Sequence, residues 1–116
     1  MLKEAENNLR YYEVEGTREL LEQLKANPPM DVEYTLIHGD FTIDNVIVRD
    51  DRVVGVIDWG AATYGDPRYD IALAIRPKPN AFENEIDKQL FFEAYGRMVI
   101  SQEEFDYFEN GLYNFF

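Results

Sequence analysis

The chain has no cysteine among its 116 residues. That removes disulfide frameworks and thiolate metal sites, and it makes a reducing cytoplasm the simplest setting. Positive charge is scarce: 11 Lys and Arg stand against 23 Asp and Glu, for a formal net charge of -12. Nucleic acid and anionic membranes both reward clustered cations, so neither is an expected partner. No apolar run approaches the roughly 20 residues that cross a bilayer, and the polar start Met1-Leu2-Lys3-Glu4-Ala5-Glu6-Asn7 does not read as a signal peptide. Repeats and low-complexity tracts are missing too, and histidine occurs once, at His38.

What is present centres on His38-Gly39-Asp40-Phe41-Thr42-Ile43-Asp44-Asn45-Val46-Ile47-Val48 and on Val56-Ile57-Asp58-Trp59-Gly60 downstream. The polar stretch Arg49-Asp50-Asp51-Arg52 separates two runs rich in Val and Ile, which predicts strand, tight turn, strand. Such a hairpin brings Asn45 and Asp58 together, with Asp40 on the loop before the first strand. Alternation along that strand places Asn45 and Ile47 on one face and Val46 and Val48 on the other.

Two carboxylates and a carboxamide in one small volume suit phosphoryl transfer. Mg²⁺ takes one or two protein oxygens and completes its octahedron with phosphate oxygens and water, so Asn45 and Asp58 are the candidate ligands. Asp40 could orient a substrate hydroxyl and accept its proton. These roles follow the general kinase template, a catalytic loop H-R-D-x-x-x-x-N and a metal-binding D-F-G. Here the loop is H-G-D-x-x-x-x-N, with Gly39 in the Arg position. The spacing Asp40-x-x-x-Asp44-Asn45 lacks the Gly and terminal Glu of a calcium loop, so calcium is set aside.

At these residues the sequence strongly resembles the aminoglycoside phosphotransferase and choline kinase family, the small-molecule branch of the protein-kinase-like fold. The resemblance rests on His38-Gly39-Asp40, Asn45, Ile57-Asp58-Trp59-Gly60 and Gly65-Asp66-Pro67-Arg68-Tyr69-Asp70-Ile71-Ala72, in that order, and it is closest between Leu36 and Pro77. It implies that Asp40 is the catalytic base, that Asn45 and Asp58 hold magnesium, that Asp70 braces the catalytic loop, and that ATP is the phosphoryl donor. It also implies a small-molecule hydroxyl acceptor walled by the C-terminal helices. Their acidic character favours a cationic acceptor such as an aminoglycoside or another amino alcohol, although sugars, homoserine and macrolides are also substrates within the family.

The length allows one domain, 1–116, at the small end for an enzyme. A kinase-like enzyme also needs a Gly-rich loop over the phosphates and a Lys that holds them. Upstream of His38 there is no Gly-rich loop, and Lys3 and Lys25 sit in helical patterns. The expectation is therefore the C-terminal lobe alone, with the nucleotide-binding lobe absent and little turnover from this polypeptide by itself. A noncatalytic ligand-binding or assembly module built on the same lobe is the alternative. A metal-dependent hydrolase would need a second metal site or an activated nucleophile, and neither is found.

The remaining chain reads as scaffold. Leu2, Ala5, Leu9 and Tyr12 give one helical face, Gly16-Thr17 restarts the chain, and Leu20, Leu21 and Leu24 form a stripe behind a Thr17 cap. Tyr34-Thr35-Leu36-Ile37 is a short β-prone run. Ala61 to Pro67 reads as a loop, with Asp66 capping a buried helix Asp70-Ile71-Ala72-Leu73-Ala74-Ile75. The break Arg76-Pro77-Lys78-Pro79-Asn80 ends it. Phe82, Ile86, Leu90, Tyr95 and Val99 predict a helix within Ala81 to Ile100, and Phe105, Phe108, Leu112 and Phe116 another from Gln102 to Phe116, both aromatic inside and acidic outside. Glu83, Glu85, Asp87, Glu93, Glu103, Glu104, Asp106 and Glu109 read as a solvated face.

His38 is more simply a hydrogen-bonded structural histidine than a base, and Asp44 more simply a solvated loop carboxylate than a ligand. Ile47 and Ile57 are candidates for an apolar floor under an adenine ring, with ordinary core packing equally open. If no second lobe covers that floor, a homodimer is expected. The fold class expected is α+β, mostly helical, with a small hairpin carrying the metal ligands.

Overall fold

The computed structural model describes residues 1–76, 82, 84–96 and 100–116. Helix α1 (Leu2–Tyr11) turns Ala5 fully into the core. Thr17 has extended backbone and its hydroxyl accepts from the Leu20 amide at 3.1 Å, so α2 (Arg18–Ala26) begins at this cap and buries Leu21 and Leu24 beside α1.

Strands among the described residues form two antiparallel pairs. β1 (Thr35–Ile37) pairs with β4 (Thr63–Gly65), Leu36 facing Tyr64. The stretch holding β4 had the composition of a loop. Three residues are too few to show alternation, and the pairing depends on a strand far upstream. The second pair is the expected hairpin, β2 (Val46–Arg49) with β3 (Arg52–Val56). Asp50 and Asp51 both take left-handed backbone, φ 51 and 58, which makes a two-residue turn whose twist matches the strands. The ladder slips after Ile47: Ile47 faces Gly55 and Val48 faces Val53, leaving Val54 as a bulge.

Asp66 caps α3 (Pro67–Ala74), accepting from the Arg68 amide at 3.0 Å, with Pro67 in the first turn. Every residue of α3 from Pro67 to Leu73 is buried, which makes it the central helix. Around it pack Ile37, Phe108, Leu112 and Phe115. Arg68 is buried as well, and its charge is matched by Asp66 at 2.6 Å and Glu104 at 2.6 Å.

The last helices are shorter than the periodicity suggested. α4 spans Glu85–Tyr95 between an Asn84 cap and a left-handed Gly96; residues 77–81, 83 and 97–99, with Glu83 and Val99, lie outside the described part of the chain. Its buried residue is Phe92, whereas Ile86 and Leu90 are exposed, so the face assigned to the core points elsewhere. α5 (Gln102–Phe108) starts from a Ser101–Glu104 capping box and stops before Gly111. A side chain on Gly111 would strike the Tyr107 carbonyl and lie 2.7 Å from Leu24 Cδ2. The chain then tightens into a 3-10 turn, Leu112–Phe115, which buries Phe115 and leaves Phe116 half exposed. The architecture is α+β, with helix outweighing strand.

Candidate active site

Asp70, in the first turns of α3, pins the loop of His38, Gly39 and Asp40. Its Oδ2 accepts the His38 amide proton at 2.6 Å and its Oδ1 the Gly39 amide proton at 2.9 Å. Burial pushes the Asp70 carboxyl above its ordinary value, and the two amide bonds only partly offset it. Gly39 has φ +85, and a Cβ there would run into the Ala61 carbonyl, so the position that kinases fill with Arg is closed to side chains here.

His38 is buried and doubly bonded. Its Nε2 donates to the Ile57 carbonyl at 2.7 Å, while its Nδ1 accepts from the Asp40 amide at 3.2 Å. Carbonyl and amide leave one assignment, the neutral ring carrying its proton on Nε2. The ring also packs on Trp59, centroids 4.6 Å apart, tying the loop to the end of β3.

Asn45 does not lie on the strand as the alternation implied. It closes a 3-10 turn, Ile43–Asn45, just before β2, and is buried. Its Nδ2 donates to the Asp40 carbonyl at 2.7 Å and to Asp40 Oδ2 at 3.0 Å. Both partners only accept, which fixes the amide's orientation and leaves Oδ1 as its acceptor end. The Asn45 carbonyl takes the Ile57 amide proton at 2.9 Å, so Asp58 follows directly on the residue bonded to Asn45. Asp58 adopts left-handed backbone, φ 60, and stands exposed at the head of the 3-10 turn Trp59–Ala61. Asp44 is exposed beside it in sequence to Asn45.

Ile47 and Ile57 are 42% and 48% exposed, so neither is core. With Val48, Val53 and Val54 they leave the hairpin apolar on its surface.

Two residues of the site carried no sequence signal. The Tyr113 hydroxyl lies 3.4 Å from Asp40 Oδ1, and the Arg76 guanidinium sits 4.6 Å over the Tyr113 ring. Arg76 pairs with Glu109 at 2.9 Å. Burial lowers the pKa of Arg76, but Glu109 and Tyr113 raise it further, so it stays charged. Glu104 and Glu109 thus leave the solvated acidic face to hold the buried Arg68 and the half-buried Arg76, while Glu85, Glu93, Glu103 and Asp106 remain exposed.

Among the described residues no three His, Cys, Asp or Glu side chains converge as a closed metal cage. An amide oxygen and one carboxylate suit a hard cation that keeps water and phosphate in its shell. No helix among the described residues is long and apolar enough to cross a membrane.

A family model described as a phosphotransferase enzyme family matches residues 2–105. The chain is 31% identical over 90 residues to an aminoglycoside 3'-phosphotransferase of Niallia circulans, a match covering 78% of this chain and 34% of that protein. It is 45% identical over 65 residues to acyl-CoA dehydrogenase family member 11 of Gallus gallus, covering 53% of this chain and 8% of that protein. A crystal structure of aminoglycoside-3'-phosphotransferase of type VIII superposes with a TM-score of 0.76 at 26% identity, over 99% of this chain and 49% of that one. The chain thus spans about half of that solved relative, and 34% and 8% of these curated ones.

Proposed function

The chain belongs to the phosphotransferase enzyme family, and from that premise we propose that it is the catalytic-loop lobe of a small-molecule kinase, moving the γ-phosphoryl group of ATP to a hydroxyl. One observation carries the reading: Asp40 stands on a loop pinned by Asp70, with its carboxylate held by Asn45, whose backbone is bonded to the residue before Asp58.

In this reading Asp40 orients the acceptor hydroxyl and takes its proton as the new O–P bond forms. Asn45 steadies that carboxylate through Nδ2. Asn45 Oδ1 and Asp58 would hold Mg²⁺, whose charge offsets that of the phosphate oxygens. His38 keeps the loop against the end of β3, and Ile47 and Ile57 offer an aliphatic floor to the adenine ring. The phosphate-gripping Gly-rich loop and Lys come from outside these 116 residues. An acceptor of the aminoglycoside class is supported by the names of the relatives, and the net charge of -12 favours a cationic acceptor, amino alcohols included.

The test is transfer of labelled γ-phosphate from ATP to a panel of aminoglycosides, amino alcohols and sugars, with the chain alone and with the chain joined to a nucleotide-holding lobe. Transfer by the joined form that disappears in Asp40→Asn supports the proposal. No transfer to any acceptor favours the second reading, a noncatalytic module. Its support is that the chain also matches a small part of a much longer protein named for different chemistry.

A further inference from the structure

A carboxylate held at one oxygen can still rotate about its Cβ–Cγ bond. Asp40 Oδ2 is held by Asn45 Nδ2 at 3.0 Å, and the Tyr113 hydroxyl lies 3.4 Å from the other oxygen, Oδ1. An ionised carboxylate only accepts, so the hydroxyl must be the donor. At 3.4 Å the bond is long, as such bonds often are before substrate arrives and tightens them.

The tyrosine is not free to swing away. Arg76 covers one face of its ring at 4.6 Å and is fixed in turn by Glu109 at 2.9 Å. The Tyr69 ring, 1% exposed, packs against it with centroids 6.3 Å apart. Tyr69 is the neighbour of Asp70 on α3, so one helix both pins the catalytic loop and backs the tyrosine that reaches into it.

We propose that Tyr113 is a positioning residue for phosphoryl transfer, fixing the plane of the Asp40 carboxylate by holding Oδ1 while Asn45 holds Oδ2. This rests on the reading of Asp40 as the base. With both oxygens anchored, a lone pair is presented to the acceptor hydroxyl in one orientation. Losing one anchor leaves binding alone and misaligns proton transfer, where small displacements cost rate heavily. Phenylalanine at 113 keeps the ring under Arg76 and its packing, and removes the hydroxyl with its bonds to Asp40 and to the Arg76 side chain.

Two measurements test it. In the 116-residue chain carrying ¹³Cζ-labelled tyrosine, the Tyr113 resonance, identified by its loss in Tyr113→Phe, should shift in Asp40→Asn, while that of Tyr107 holds. In the form that turns over, Tyr113→Phe should lower kcat about tenfold or more with the KM for nucleotide unchanged, and Tyr107→Phe should change neither. A Tyr113 resonance indifferent to Asp40→Asn overturns the proposal, as does an unchanged kcat in Tyr113→Phe or a loss confined to KM. Full turnover in Asp40→Asn overturns instead the reading of Asp40 as base, and the positioning role with it.

Discussion

The Asp70 carboxylate accepts the His38 amide proton at 2.6 Å, joining the start of the loop of His38, Gly39 and Asp40 to a helix 32 residues further along the chain. With the Gly39 bond it satisfies two buried amides that no strand partner reaches. Asp70→Ala should therefore cost about 1–3 kcal/mol for each amide left bare, read from urea unfolding. Asp70→Asn, which keeps one acceptor, should cost less. Equal stability of wild type and Asp70→Ala would sink this view of the loop.

The same residue sets a pH slope. Burial holds the native Asp70 carboxyl above its ordinary value of 3.8, so between 3.8 and the raised value the native state binds more protons than the unfolded chain. Its contribution to stability is then greatest below that window, falls as pH rises through it and is flat above it. Glu109, raised from 4.5 by burial despite Arg76, acts in the same direction. The stability of wild type relative to Asp70→Asn should decline as pH rises from 3.8 through that window. A relative stability that climbs over that range contradicts the sign.

Asp40 and Asp58 should separate by kinetics. In the form that turns over, Asp40→Asn should abolish transfer with nucleotide affinity nearly intact, because the part proposed for Asp40 is proton transfer. Asp58→Asn should also weaken binding of the Mg²⁺–nucleotide complex, measured by titration calorimetry with and without the metal. Equal, metal-independent affinities in wild type and Asp58→Asn would remove Asp58 from the metal site. The 116-residue chain alone should show little or no turnover; robust activity from it would mean that the positioning supplied by a second lobe is dispensable.

Arg68 is 4% exposed, and its guanidinium reaches Asp66, Glu104 and the Met30 carbonyl. Truncating it to Ala strands the buried Asp66 charge and should cost about 3–5 kcal/mol. Lysine restores the charge without the planar fork, so Arg68→Lys should recover only part of that loss. Denaturation midpoints of the two variants measure this, and an Arg68→Ala protein as stable as wild type would refute it.

The hairpin surface predicts association. Ile47, Val48, Val53, Val54 and Ile57 are all exposed, and contiguous apolar patches above a few hundred Å² seldom stay bare on monomers. A two-fold dimer is expected at micromolar concentration. Sedimentation showing a clean monomer that also ignores an apolar dye would contradict it, and Val48→Lys with Val54→Lys should favour the monomer.

The sequence by itself determined what depends on near neighbours. The Asp50-Asp51 turn, the strands beside it, the Thr17 and Asp66 caps and the adjacency of Asn45 to Asp58 all arise within short stretches, where alternation, turn chemistry and capping leave a readable pattern. Even there one detail was lost: Asn45 closes a 3-10 turn, because its side chain bonds back to Asp40 before the strand begins. Tertiary structure decided the rest. β4 exists because β1 is there to pair with it, and α5 stops where Gly111 must let Leu24 approach. Glu104 and Glu109 look like solvated acids until α3 and the residues just after it bring Arg68 and Arg76 beside them. Tyr113 reaches Asp40 across 73 residues. Contacts between distant segments are selected by packing around α3, and packing leaves no periodicity in the chain from which a single partner can be read.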